Sequence, residues 1–167
     1  ERVAAELLLN IILYHKFACH YRLYGFVIMP DHFHMVVQPY GQLDLSSITK
    51  RIKGNFTRFF HLYTGQSEPI WQKGFYDRGI RSRQELISTL EYMHNNPVRK
   101  GLATRPDKYE FSSCGYYDGG DQRFVLWIDS IEWGGESETK VSSTGLGDTR
   151  DGRSDLQSPP MFASAHD

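Results

Sequence analysis

The stretch Tyr24-Gly25-Phe26-Val27-Ile28-Met29-Pro30-Asp31-His32-Phe33-His34-Met35-Val36-Val37 constrains the fold more than any other. An apolar run meets a Pro30-Asp31 turn, and a second apolar run follows with two histidines in it. Two such runs joined by a short turn predict an antiparallel hairpin with strands over 21–29 and 32–38. Side chains on a strand alternate between faces. His32, His34, Val36 and Gln38 therefore share one face, and Phe33, Met35 and Val37 the other. Phe33 can enter a core while both imidazoles project from the same side of the sheet. Two imidazoles so placed can close on one cation or grip one phosphate. A histidine pair at i and i+2 also arises by chance. It gains weight from a second constellation, Glu91-Tyr92-Met93-His94-Asn95-Asn96-Pro97-Val98-Arg99-Lys100-Gly101-Leu102.

Three helices are expected around the hairpin. Residues 3–18 place Val3, Leu7, Leu8, Ile11, Ile12 and Leu13 at helical spacing. Asp44 or Ser46 can cap a second helix over 45–63, and Gly65 is a plausible stop. Its apolar residues are interleaved with Lys50, Arg51, Lys53 and Arg58, which read equally as a solvated face or as a DNA-binding rim. Residues 70–81 read as an extended strand bent at Gly74. Ser82-Arg83-Gln84-Glu85 has the form of a capping box and opens a third helix over 83–96, which Pro97 ends. On that helix Leu86, Leu90 and Met93 form an apolar stripe and Tyr92 lies opposite it. Asn96 follows one turn later, offering an amide oxygen beside the phenol.

The order helix–strand–strand–helix–strand–helix is one strand short of βαββαβ. The fold class expected is α+β: a ferredoxin-like antiparallel sheet with helices on one face, the histidine pair on the free face and the first strand missing. That strand would lie centrally beside 32–38, and its loss leaves backbone groups unpaired. The chain starts at Glu1, so the expectation is a truncated form, impaired unless another segment fills the slot. Residues 1–117 form the expected catalytic body and 118–133 an extension, with 124–133 a strand or an apolar clamp. Residues 134–167, rich in Gly, Ser, Thr, Asp and Glu, read as a disordered tail.

Charge supports a polyanion partner for the body. Residues 1–110 carry 15 Lys+Arg against 10 Asp+Glu, and residues 111–167 carry 4 against 10. A +5 body with a −6 tail is hidden in the net charge of −1. No apolar run is long enough to span a bilayer and no signal peptide is visible. Cys19 and Cys114 match no metal-knuckle spacing, and a reducing cytoplasm is the default location.

The chain has no Gly-rich phosphate loop, no Gly-x-Ser-x-Gly and no Cys-x-x-Cys. What remains is two imidazoles, an amide and a phenol. A divalent cation held by His32, His34 and Asn96 can polarise a phosphate oxygen, and Tyr92 can attack the phosphorus. Imidazole favours zinc-like ions, whereas phosphate and amide oxygens suit Mg2+ or Mn2+.

Pro30-Asp31-His32-Phe33-His34 resembles the histidine–bulky–histidine motif of HUH single-strand nucleases. Residues Tyr92 to Leu102 resemble the tyrosine helix of the REP-associated tyrosine transposases. Trp71-Gln72-Lys73-Gly74-Phe75-Tyr76-Asp77 resembles the strand before that helix. The resemblance covers roughly residues 3–117. It implies metal-dependent cleavage and rejoining of single-stranded DNA through a 5′-phosphotyrosine link, at sites marked by a DNA hairpin. It further implies Tyr92 as nucleophile and His32 and His34 as metal ligands, with Asn96 as the third. Arg99 and Lys100, together with Lys50, Arg51, Lys53 and Arg58, are the candidate DNA contacts. Monomer and homodimer are both compatible with the short Arg81-Ser82 connection. The competing expectation is a non-catalytic or decayed hairpin DNA- or RNA-binding module of the same fold, which would stack bases on aromatics of the free face.

Overall fold

The structure, a computed structural model, describes residues 2–131 and 160–166. Helix α1 (Arg2–Ala18) leads into the hairpin of β1 (Tyr21–Ile28) and β2 (His32–Pro39). Helix α2 (Leu45–Thr64), strand β3 (Tyr76–Gly79) and helix α3 (Arg83–His94) follow. Two short helices, α4 (Asn96–Arg99) and α5 (Cys114–Tyr117), then precede a last strand, β4 (Met161–His166). The caps explain the helix ends. Asp44 accepts the Ser47 N–H at the start of α2, and Gly65 closes it in the left-handed conformation, φ 71°. Ser82 accepts the Glu85 N–H at the start of α3, while the Glu85 carboxylate reaches back to the Arg81 N–H. Helix α3 stops at His94, and Pro97 sits in the first turn of α4, where its missing N–H costs nothing.

The sheet is wholly antiparallel in the order β1-β2-β4-β3. The α+β antiparallel class expected from the sequence holds. The slot beside β2, expected to be empty, is filled by β4, which pairs with β2 on one side and β3 on the other. Residues 160–166, expected to be part of a disordered tail, thus supply the central strand; residues 132–159 lie outside the described ones. The expected strand over 70–81 shrinks to Tyr76–Gly79. Residues 70–75 are held by α2 instead: Trp71 Nε1 donates to the Lys53 carbonyl, and Lys53 Nζ donates to the carbonyls of Gln72 and Gly74.

The helices do not all lie on one face. Helices α1 and α2 cover the face of Phe33, Met35 and Val37, packing Ile11, Ile12, Ile48, Ile52 and Phe56 there with Ala163 and Ala165 of β4. Helix α3 covers part of the opposite face, with Leu86, Leu90 and Met93 against Tyr24, Val36 and Phe162. A bulge reconciles β1 with this arrangement. Its register shifts between Leu23 and Gly25. The extra residue inverts the alternation, so Tyr21 and Leu23 before it and Phe26 and Ile28 after it all enter the larger core. The segment after α5 is an apolar clamp rather than a strand. Phe124 and Ile128 are buried, and the Asp129 carboxylate accepts the Leu23 N–H and pairs with Lys16 at 2.7 Å.

Gly25 lies where α3 packs against the sheet. A Cβ there would lie 2.5 Å from Leu90 Cδ2 and 3.1 Å from both Met93 Cε and Ser113 Oγ. Gly25→Ala therefore overpacks this contact and is expected to destabilise the fold by about 1–3 kcal/mol, read as a lower urea midpoint. An unchanged midpoint would show that α3 can be pushed away without loss.

Candidate active site

The second strand of the hairpin places His32 and His34 one turn of the pleat apart on the face that α3 only partly covers. Their rings meet edge to face, with centroids 4.7 Å apart. Both are largely buried, at 9% and 7% exposure. The His34 ring stacks on Phe162 of β4 at 5.4 Å and 21°. His32 Nδ1 lies 2.6 Å from the Asp31 carboxylate. When the neutral ring donates from Nδ1, its lone pair sits on Nε2, the tautomer a metal ligand needs. The Asp31 carboxyl is held below the usual carboxylate range, chiefly by that hydrogen bond, with the Lys100 charge adding to it.

Beyond the covered part of this face, an open cleft of about 1150 Å³ lies between the sheet and α3. His32, His34, Tyr92, Asn96, Arg99 and Ser164 line it. Tyr92 is 56% exposed, as its position opposite the apolar stripe of α3 requires. The Arg99 guanidinium stands 5.2 Å over the Tyr92 ring. Lys100 and Arg78 also border the cleft; Arg78 bonds to Thr89 and lies 3.7 Å from Glu85. The chain's own Tyr92 thus shares a cleft with its own histidine pair.

The other candidate cations are elsewhere. Lys50, Arg51, Lys53 and Arg58 ride on α2, which packs on the opposite face of the sheet, and none borders the cleft. Lys53 is committed to the 70–75 segment, and partial burial pulls its ammonium below the usual lysine range. His94, two residues from Tyr92, turns inward. Its Nε2 lies 2.8 Å from Ser113 Oγ, and burial pushes it down to about 4, so it is neutral near pH 7 and takes no part in the cleft. Sequence reasoning missed Arg78, Phe162 and Ser164. The alternation Phe162-Ala163-Ser164-Ala165 was the available signal for the last two.

Among the described residues, no group of three or more His, Cys, Asp or Glu side chains gathers as a metal centre. His32, His34 and Asn96 line the same cleft, and imidazole nitrogens and an amide oxygen are donor types compatible with Mg2+ or Mn2+ as well as softer ions.

Fold and cleft together give an α+β domain that sets a histidine pair on an antiparallel sheet beside a tyrosine on α3. The chain belongs to the IS200-like transposase family, whose sequence pattern matches residues 2–96. It is 30% identical over 90 residues to the REP-associated tyrosine transposase of Escherichia coli (strain K12), a match covering 53% of this chain and 52% of that one. It is 26% identical over 124 residues to a putative REP-associated tyrosine transposase of Haemophilus influenzae, covering 68% and 67%. The chain thus spans about half the length of the first relative and two thirds of the second. A solved REP-associated tyrosine transposase bound to a REP hairpin shares the fold, with TM-score 0.59, 22% identity, and coverage of 85% of this chain and 80% of that one. Among the described residues, no helix is long and apolar enough to cross a membrane.

Proposed function

We propose that this domain cleaves and rejoins single-stranded DNA at hairpin-associated sites, with Tyr92 as the nucleophile. The observation that carries this reading is that the phenol of Tyr92 and the imidazoles of His32 and His34 border one cleft. The solved relative held a REP hairpin, and hairpin DNA is the substrate class proposed for this chain. His32, His34 and Asn96 would hold Mg2+ or Mn2+. Bound there, the ion supplies Lewis-acid polarisation of a phosphate oxygen. Asp31 keeps the His32 ring turned so that Nε2 faces away from the carboxylate. Arg99 and Lys100 offer cationic contacts to the backbone on either side of the scissile phosphate. Tyr92 Oη forms a bond to phosphorus as the bond to the 3′ oxygen breaks. The phenol gives up its proton, and the leaving oxygen takes one up to become a 3′ hydroxyl. The 5′ phosphate stays on the protein until a 3′ hydroxyl reverses the step.

The test uses a hairpin oligonucleotide with single-stranded flanks, labelled at either end. With Mn2+ or Mg2+ the 3′ label is expected to migrate with the denatured protein and the 5′ label to appear in a free, shorter fragment. EDTA is expected to abolish both products. An adduct carrying the 5′ label would reverse the polarity, and metal-independent cleavage would remove the proposed role of the histidine pair.

A further inference from the structure

We infer that strand β4 contributes to the reaction as well as to the sheet: Ser164 donates a hydrogen bond to a non-bridging oxygen of the scissile phosphate. The inference rests on the function proposed above. Backbone register sets Ser164 opposite His34 on β2 and opposite Tyr76 on β3. It is the middle of a row that runs across the cleft floor. Directly opposed residues of an antiparallel pair carry their side chains on the same face, with Cβ atoms about 5 Å apart. The Ser164 hydroxyl therefore stands beside the His34 imidazole, and both border the cleft that Tyr92 overlooks.

Ser164 is only 4% exposed. Among the described residues, its Oγ has no hydrogen-bond partner. A buried hydroxyl left unsatisfied costs about 1–3 kcal/mol, so this group adds nothing to the fold that alanine would not. The neighbouring positions of β4 are explained by packing: Phe162 stacks on His34, and Ala163 and Ala165 enter the opposite core. Ser164 is the polar exception, and it lines the cleft that the histidine pair and the phenol also line. During displacement at phosphorus, negative charge is spread over the non-bridging oxygens, and a preplaced donor in a partly desolvated cleft stabilises that charge. A hydroxyl suits the task because it adds no charge beside the two imidazoles.

Ser164→Ala separates this role from a structural one. The melting temperature is expected to stay the same or rise, because the substitution removes an unsatisfied polar group. Affinity for a short single-stranded oligonucleotide, measured by anisotropy, is expected to fall at least threefold. The rate of adduct formation at saturating hairpin is expected to fall at least tenfold. If the wild-type chain forms the adduct and Ser164→Ala forms it at the same rate, the Ser164 assignment is overturned and the proposed function stands. If the wild-type chain forms no adduct but the variant still loses single-strand affinity, the phosphate contact stands and the nuclease reading falls. A wild-type chain that forms no adduct, with single-strand affinity unchanged in the variant, overturns both, and a large drop in melting temperature would make Ser164 a structural residue.

Discussion

Tyr92→Phe abolishes the covalent DNA adduct and leaves hairpin affinity within about twofold: this is the largest functional effect expected of any single substitution. The phenol oxygen is the atom proposed to bond to phosphorus, and phenylalanine has no substitute for it. Loss of a covalent nucleophile reduces the rate by at least about 10³-fold, the residue acting as a unit with its supporting groups. Little else changes. The side chain is 56% exposed, so the fold does not depend on its hydroxyl. The aromatic ring survives, and with it the seat for the Arg99 guanidinium 5.2 Å away. Packing of α3 runs through Leu86, Leu90 and Met93 on the other side of the helix. Denaturing gel electrophoresis of the 3′-labelled hairpin reads the result. A persistent adduct would transfer the role to Tyr76, the other tyrosine bordering the cleft. Tyr63, near the end of α2, does not border it.

Much of this site was legible because it is built from local periodicities. The pleat alone puts His32 and His34 together and sends Phe33 the other way. The helical repeat alone sets Tyr92 against the stripe of Leu86, Leu90 and Met93. The caps at Asp44, Ser82 and Gly65 are read from side-chain chemistry within four residues of each helix end. What stayed hidden depends on partners distant in sequence. An amphipathic stripe shows that a helix packs on a sheet but not on which face. The basic residues of α2 were therefore grouped with those of α4, although the sheet separates them. Residues 70–75 look like a strand because their aromatics resemble those of a sheet, yet their backbone is engaged by Lys53. The bulge at Tyr24 is silent for a related reason: β1 is buried on both faces, so its apolar residues show no alternation to break.

Strand β4 was the hardest element to read, and it carries the largest expected effect on stability. Met161-Phe162-Ala163-Ser164-Ala165-His166 has only two large apolar residues. Nothing local shows that it inserts between two strands more than 80 residues earlier in the chain. Its position nevertheless governs the sheet. Strand β3 joins the sheet only through β4, and without β4 the backbone of β2 from His32 to Val37 loses its partner on that side. Ala163 is the sensitive point. It is 1% exposed and lies opposite Met35 on one side and Asp77 on the other. Proline there removes a ladder donor and brings its ring against a neighbouring strand, at a cost of about 3 kcal/mol or more. Against a total stability of roughly 5–15 kcal/mol, Ala163→Pro is expected to lower the melting temperature by roughly 10 °C. Adduct formation is expected to fall with it, because Phe162, which fixes the plane of the His34 ring, and Ser164 are both displaced. Thermal unfolding followed by circular dichroism measures the first effect, and the labelled hairpin assay at a temperature where the variant is folded measures the second. An unchanged melting temperature would mean that residues 160–166 do not hold the central slot. The cleft floor between His34 and Tyr76 would then have to be built by some other strand.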